Sequence, residues 1–131
     1  MGAVAKNLVW KVGWMQINTK TVHKNWGSEL WLANNKKHDY CGKILTINSG
    51  FSTSLHFHAN KHETFYILEG ELEVITIDTE TTKESLHCLM PGDSFEINPY
   101  IPHRLCANGG HVKFIEISTF HQDSDSYRII K

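Results

Sequence analysis

Residues 50–70 read GFSTSLHFHANKHETFYILEG and concentrate the chemistry-bearing side chains of this 131-residue chain. His56 and His58 are separated by one residue, so in an extended strand both rings leave the same face. Glu63 follows at the head of the apolar and aromatic run Phe65-Tyr66-Ile67-Leu68. Two imidazoles and a carboxylate converging from neighbouring strands are the start of a site for a divalent transition metal. A histidine pair alone arises readily from strand alternation. The larger pattern G-x5-HxH-x4-E-x6-G, over Gly50, His56, His58, Glu63 and Gly70, has a chance frequency on the order of 10⁻⁵ at ~2–7% usage per residue type.

Strands must hold these residues. Segments rich in β-branched and aromatic residues recur at roughly 8–12-residue spacing between turn residues, which favours a sandwich or barrel. Strands are expected at 8–14, 21–23, 29–34, 41–47, 52–57, 64–69, 71–78, 83–89, 94–97, 103–107 and 111–119. Asn48-Ser49-Gly50, Glu69-Gly70-Glu71 and Pro91-Gly92-Asp93 read as turns, and Asn98-Pro99-Tyr100-Ile101-Pro102 as a stiff connection. No window of about a dozen residues carries a strong helical apolar period, so helix should be scarce.

Composition sets the class. Apolar residues make up 40% and charged residues 21%, ordinary for a soluble globular chain. A net charge of −1 and the lack of a basic stripe interleaved with aromatics argue against nucleic-acid binding. No run approaches the roughly 18–20 apolar residues that span a membrane. The start, MGAVAKNLVWKVGWMQ, is broken by Lys6, Asn7 and Lys11, unlike a secretory leader. Three cysteines, an odd count without CxxC spacing, fit free thiols in a reduced, cytoplasmic setting. The length suits a single domain over 1–131, with N-terminal strands in 1–40, a core in 41–119 and a C-terminal tail in 120–131.

A second block follows the first. Pro91-Gly92-Asp93 is trailed by Asn98-Pro99-Tyr100-Ile101-Pro102-His103. Together the two blocks resemble the motifs of the cupin superfamily, over roughly residues 41–119. Tyr100 stands where that family usually has Gly, and Ala107 where it usually has Asn. The resemblance implies an all-β, double-stranded β-helix barrel of two antiparallel sheets, with a metal held inside by His56, His58, Glu63 and His103. Such a donor set suits Zn²⁺, Mn²⁺, Fe²⁺, Ni²⁺ or Co²⁺ and leaves positions open for water or substrate. It also implies a homodimer paired through N-terminal strands; Trp10, Trp14, Trp26 and Trp31 either bury there or line the pocket.

Shorter resemblances point toward sugars. His56, His58, Lys61 and Glu63 form an HxHxxKxE run, as in cupin sugar isomerases, lyxose isomerase in particular. Trp26-Gly27-Ser28-Glu29 is similar to the entry motif of mannose-6-phosphate isomerase cupins, with Asn25 in place of Pro. A metal-dependent isomerase or epimerase of a sugar or sugar phosphate is the function these imply. It needs a base to move a proton between adjacent carbons. Glu116 is the candidate, because a lone carboxylate in the apolar run VKFIEIS is costly unless it faces a polar cavity. Lys61 would polarise a substrate oxygen, and His121 is a candidate acid or base titrating near neutral pH. Lys43, Tyr66 and Arg104 are further candidates for substrate contact. Two other readings stand beside this one: a non-catalytic cupin that binds a small carbohydrate or metabolite, and an Fe-dependent dioxygenase or metal-dependent lyase.

Overall fold

The computed structural model describes residues 13–130. Eleven strands run in chain order: β1 (Lys20–Lys24), β2 (Gly27–Asn35), β3 (Tyr40–Ile47), β4 (Leu55–His58), β5 (Glu63–Glu69), β6 (Leu72–Ile77), β7 (Glu84–Leu89), β8 (Ser94–Ile97), β9 (His103–Cys106), β10 (Val112–Ser118) and β11 (Ser126–Ile130). The helical content among the described residues is one 3-10 turn, Asp123–Asp125. Among the described residues no helix is long and apolar enough to cross a membrane. The strands form a six-stranded sheet, β1-β2-β3-β10-β5-β8, and a five-stranded sheet, β11-β4-β9-β6-β7. All of these pairings are antiparallel, as expected for two antiparallel sheets.

Alternation decides which side chains enter the space between the sheets. On β3 the inward row is Cys41, Lys43, Leu45 and Ile47. On β10 it is Val112, Phe114, Glu116 and Ser118, and on β5 it is Glu63, Phe65 and Ile67. The register puts Leu45 opposite Phe114, and Glu116 opposite both Lys43 and Phe65. Each row therefore passes from apolar to charged along its strand. One end is a core of Ile47, Ile67, Leu72, Val74, Val112 and Phe114 with their neighbours, where each fully buried large side chain contributes about 1.5–3 kcal/mol. The other end gives up that gain to hold charges.

Three expectations change. Residues 8–12 of the first expected strand lie outside the described residues, and 13–14 form no strand. The expected strand 52–57 contracts to β4, with Ser52 held by a single bridge to Cys106. Residues 120–131, read as a tail, contribute the 3-10 turn and β11, which pairs with β4. The expected N-terminal dimer contact involves Trp10, which lies outside the described residues; Trp14 is exposed and Trp26 is buried. The three cysteines are free thiols, with Cys41 and Cys106 buried and Cys88 exposed.

Two turn positions carry backbone constraint. Gly70 has φ 76°, and a Cβ there would clash with the carbonyl of His111. Tyr100, where the motif usually has Gly, takes φ 70°, a conformation that costs a side-chain-bearing residue about 1–2 kcal/mol. Its amide donates to the His58 carbonyl at 2.6 Å, and its ring stacks on Phe57 with centroids 6.3 Å apart. The stack offsets the strain.

Candidate metal centre and its cavity

His56 on β4 and His103 on β9 are direct cross-strand partners. Their ring centroids are 4.5 Å apart, and the His58 ring lies 5.0 Å from His56 and 5.7 Å from His103. One ring nitrogen from each of the three comes within 4.8 Å of the others. In each ring Nδ1 faces a backbone carbonyl: Ser54 at 2.8 Å, Asp125 at 3.1 Å and Ile101 at 2.9 Å. A carbonyl only accepts, so Nδ1 carries the proton and Nε2 keeps its lone pair for a metal.

Glu63 completes the cluster. Its Oε2 lies 3.1 Å from His103 Nε2 and 3.6 Å from His58 Nε2, buried and without a well-aligned hydrogen bond. An orphaned buried carboxylate oxygen beside three imidazole lone pairs is the donor set a divalent transition metal requires. Burial holds the His56 pKa down at about 3, with the neighbouring imidazoles adding to the effect, so the ring is neutral as a ligand must be. Burial also lowers His58. For His103, burial pulls down but the Glu63 carboxylate outweighs it, and the net shift is upward. A cation bound at Nε2 would act against that shift.

Lys61 is buried in the loop between β4 and β5. Its Nζ lies 2.8 Å from Glu116 Oε2, 3.7 Å from Glu63 Oε1 and 3.0 Å from His121 Nδ1. Burial alone would depress the lysine, but the Glu116 and Glu63 carboxylates win and hold it above its ordinary value, so it is an ammonium. His121 is shifted the other way, by burial first and then by Lys61 and Lys43. Its neutral ring accepts from Lys61 at Nδ1 and donates from Nε2 to the exposed Asp123, 2.8 Å away. Lys43 is fully buried, 3.4 Å from Glu29 Oε1 and 4.2 Å from the centre of the Trp31 ring.

These groups share one cavity of about 120 Å³, whose polar lining includes Lys43, His56, His58, Lys61, Glu63, His103, Glu116 and His121. Trp26, Leu45, Phe65 and Leu105 form its apolar wall. Of the residues expected to contact substrate, Lys61 and Lys43 are brought in, and Tyr66 and Arg104 are not. Tyr66 lies between the inward Phe65 and Ile67 on β5, so alternation turns it to the outer face, where it is 38% exposed. Arg104 is displaced for the same reason, lying between the inward His103 and Leu105 on β9. Sequence reasoning overlooked Glu29 and Asp125. Glu29 had a signal in the Trp26-Gly27-Ser28-Glu29 run, whereas Asp125 had none, because its partners lie more than sixty residues earlier.

A family model described as the Cupin domain matches residues 43–118. None of the curated proteins matches the chain by sequence. Among solved structures, Lactobacillus farciminis oxalate decarboxylase in a formate complex is 18% identical with TM-score 0.74, covering 86% of this chain and 34% of its own. The capsular polysaccharide assembling protein CapF from Staphylococcus aureus is 14% identical with TM-score 0.76, covering 89% and 33%. Bacillus subtilis oxalate decarboxylase is 14% identical with TM-score 0.76, covering 86% and 30%. The chain thus spans about a third of these structures, and at such identities the likeness is one of fold. The family match covers the strands that carry His56, His58, Glu63, His103 and Glu116, and the chain belongs to the cupin family.

Proposed function

We propose that the protein is a metal-dependent isomerase or epimerase of a sugar or sugar phosphate, with Glu116 moving a proton between adjacent carbons and Lys61 stabilising the enediolate. The observation that carries this reading is the buried Lys61–Glu116 pair, Nζ to Oε2 2.8 Å, in one cavity with the three imidazoles and Glu63. Natural cores rarely keep buried charges for stability, since desolvation cancels most of the attraction. A base beside a fixed cation is what a proton transfer next to a carbonyl needs.

A divalent metal held by His56, His58, His103 and Glu63 would polarise neighbouring carbonyl and hydroxyl oxygens of the substrate. Glu116 takes the proton from the hydroxyl-bearing carbon. The released C–H pair forms the carbon–carbon double bond, and the carbonyl pair moves onto oxygen, where the Lys61 ammonium donates to it. Returning the proton to the neighbouring carbon, while the hydroxyl proton passes to the former carbonyl oxygen and the second oxygen becomes the new carbonyl, completes an isomerisation. Epimerisation needs a second acid–base group, and His121 is the candidate in the lining, delivering the proton it shares with Asp123. Lys43 and Glu29 offer a donor and an acceptor to further hydroxyls, and Trp26 offers an apolar wall to the sugar's C–H face. CapF, the capsular polysaccharide assembling protein, supports a carbohydrate setting for this fold.

The test is to incubate metal-loaded protein with aldoses and ketoses, free and phosphorylated, in deuterated water. Deuterium should enter the carbons next to the carbonyl, and Glu116→Gln should slow this by about 10²–10⁴-fold. If Glu116→Gln leaves both turnover and ligand binding unchanged, the assignment is wrong. A lyase acting on a small carboxylate is the second reading, favoured by Lys24, Lys43 and Lys61 in one lining. Release of carbon dioxide without deuterium exchange would select it.

A further inference from the structure

Asp125 lies in the short 3-10 turn just before β11, outside the span of the family match, and is 6% exposed. Its carboxylate gathers the backbone amides of three consecutive residues. Ala59 N–H donates to Oδ1 at 2.9 Å, Asn60 N–H to the two oxygens at 3.1 and 3.2 Å, and Lys61 N–H to Oδ2 at 3.0 Å. The same residue's backbone carbonyl accepts from His58 Nδ1 at 3.1 Å. One residue therefore fixes the whole path from His58 to Lys61. The carboxylate shapes the loop that sets where the Lys61 side chain starts. The carbonyl sets which nitrogen of His58 keeps its lone pair.

We propose that Asp125 is a positioning residue for the metal centre, selecting the His58 tautomer that ligates and placing Lys61 against Glu116. It carries this role from the turn that leads into β11, which pairs with β4, the strand of His56 and His58. Charge-assisted bonds to three amides are stronger than neutral ones and have no substitute nearby if the carboxylate goes. Outer-shell partners of metal-binding histidines commonly carry 10–100-fold of the affinity.

The inference rests on the reading of the three histidines as metal ligands, but not on any reaction. It is tested on the full-length protein with Asp125→Asn, which keeps one acceptor oxygen, and Asp125→Ala, which keeps none. Three quantities are read: Zn²⁺ affinity by competition with a chelating dye, ¹⁵N shifts of His58 in the metal-free protein, and the unfolding temperature. Zn²⁺ affinity should fall about 10–100-fold in Asp125→Ala and less in Asp125→Asn. With the carboxylate gone the turn is no longer anchored to the amides of 59–61, so the residue-125 carbonyl moves off His58 Nδ1. The His58 shifts should then move from a single Nδ1–H tautomer to a mixture, while those of His56 and His103 stay in place. A purely structural role would lower the unfolding temperature and leave tautomer and affinity alone. Parental affinity and an unmixed His58 tautomer in both variants would overturn the proposal. If Asp125→Ala does not fold, Asp125→Asn decides on the same two readouts. Loss of affinity alongside absent isomerase activity in the parent would sink the proposed reaction and leave the positioning role standing.

Discussion

Replacing Lys61 by Met tests the electrostatic logic of the cavity without assuming a substrate. The ammonium has two carboxylates around it, at 2.8 Å and 3.7 Å, all three groups being 5% exposed or less. At an effective dielectric constant of about 20, these contacts are worth about 6 and 4.5 kcal/mol of attraction. Desolvation takes back several kcal/mol for each ion, so the cluster as a whole is close to neutral for stability. Removing one partner is different. Lys61→Met keeps the desolvation cost of Glu116 and Glu63 and deletes their compensation, which should cost about 3–5 kcal/mol. For a chain of this length that lowers the unfolding midpoint by roughly 10–20 °C.

The double variant Lys61→Met/Glu116→Leu removes the nearer carboxylate as well. It should return to within about 2 kcal/mol of the parent, so the two substitutions couple by several kcal/mol. Urea unfolding of the metal-free proteins at neutral pH measures all four corners of the cycle. A Lys61→Met cost below about 1 kcal/mol would show that the lysine swings out to water and that the pair is not a fixed part of the site. Additive single and double costs would refute the direct contact between Lys61 and Glu116.

Further outcomes follow from the same geometry. His121 has its pKa depressed by burial and by the adjacent lysines, so its neutral form is favoured by the fold. The associated stability is present above the unfolded value of about 6.5 and is lost as pH falls through the folded value. Turnover should decline over that same acid range, because a protonated ring no longer accepts from Lys61, and His121→Gln should flatten the acid limb of the rate profile. At Tyr100, Ala keeps the φ 70° strain and loses the ring stack, whereas Gly loses the stack and removes the strain. Chemical denaturation should therefore rank Tyr100→Ala about 1 kcal/mol below Tyr100→Gly, with Gly near the parent. The opposite order would mean that the backbone there is not strained.

The barrel strands were legible because their signal is local. Two-residue alternation in β3, β5 and β10 is written in the chain, and the same alternation places Glu116 inward between Phe114 and Ser118. Applied as strictly to β5 and β9, it turns Tyr66 and Arg104 away from the cavity as well. His56, His58, Glu63 and His103 were legible for a second reason: ligand chemistry restricts residue type, so spacing and identity reinforce each other. The C-terminal segment had neither advantage. The residues from Gln122 to Ser126 are polar and aperiodic, and nothing in them distinguishes a solvated tail from a clamp. What makes Asp125 part of the site is a set of amides at Ala59, Asn60 and Lys61, and backbone amides leave no mark on residue type. The same blindness applies to the histidine tautomers, which are fixed by the carbonyls of Ser54, Ile101 and Asp125. A metal motif in a sequence therefore names the ligands but not the backbone groups that aim them. In this chain those backbone groups include the Asp125 carbonyl, which the C-terminal segment brings to the His58 ring.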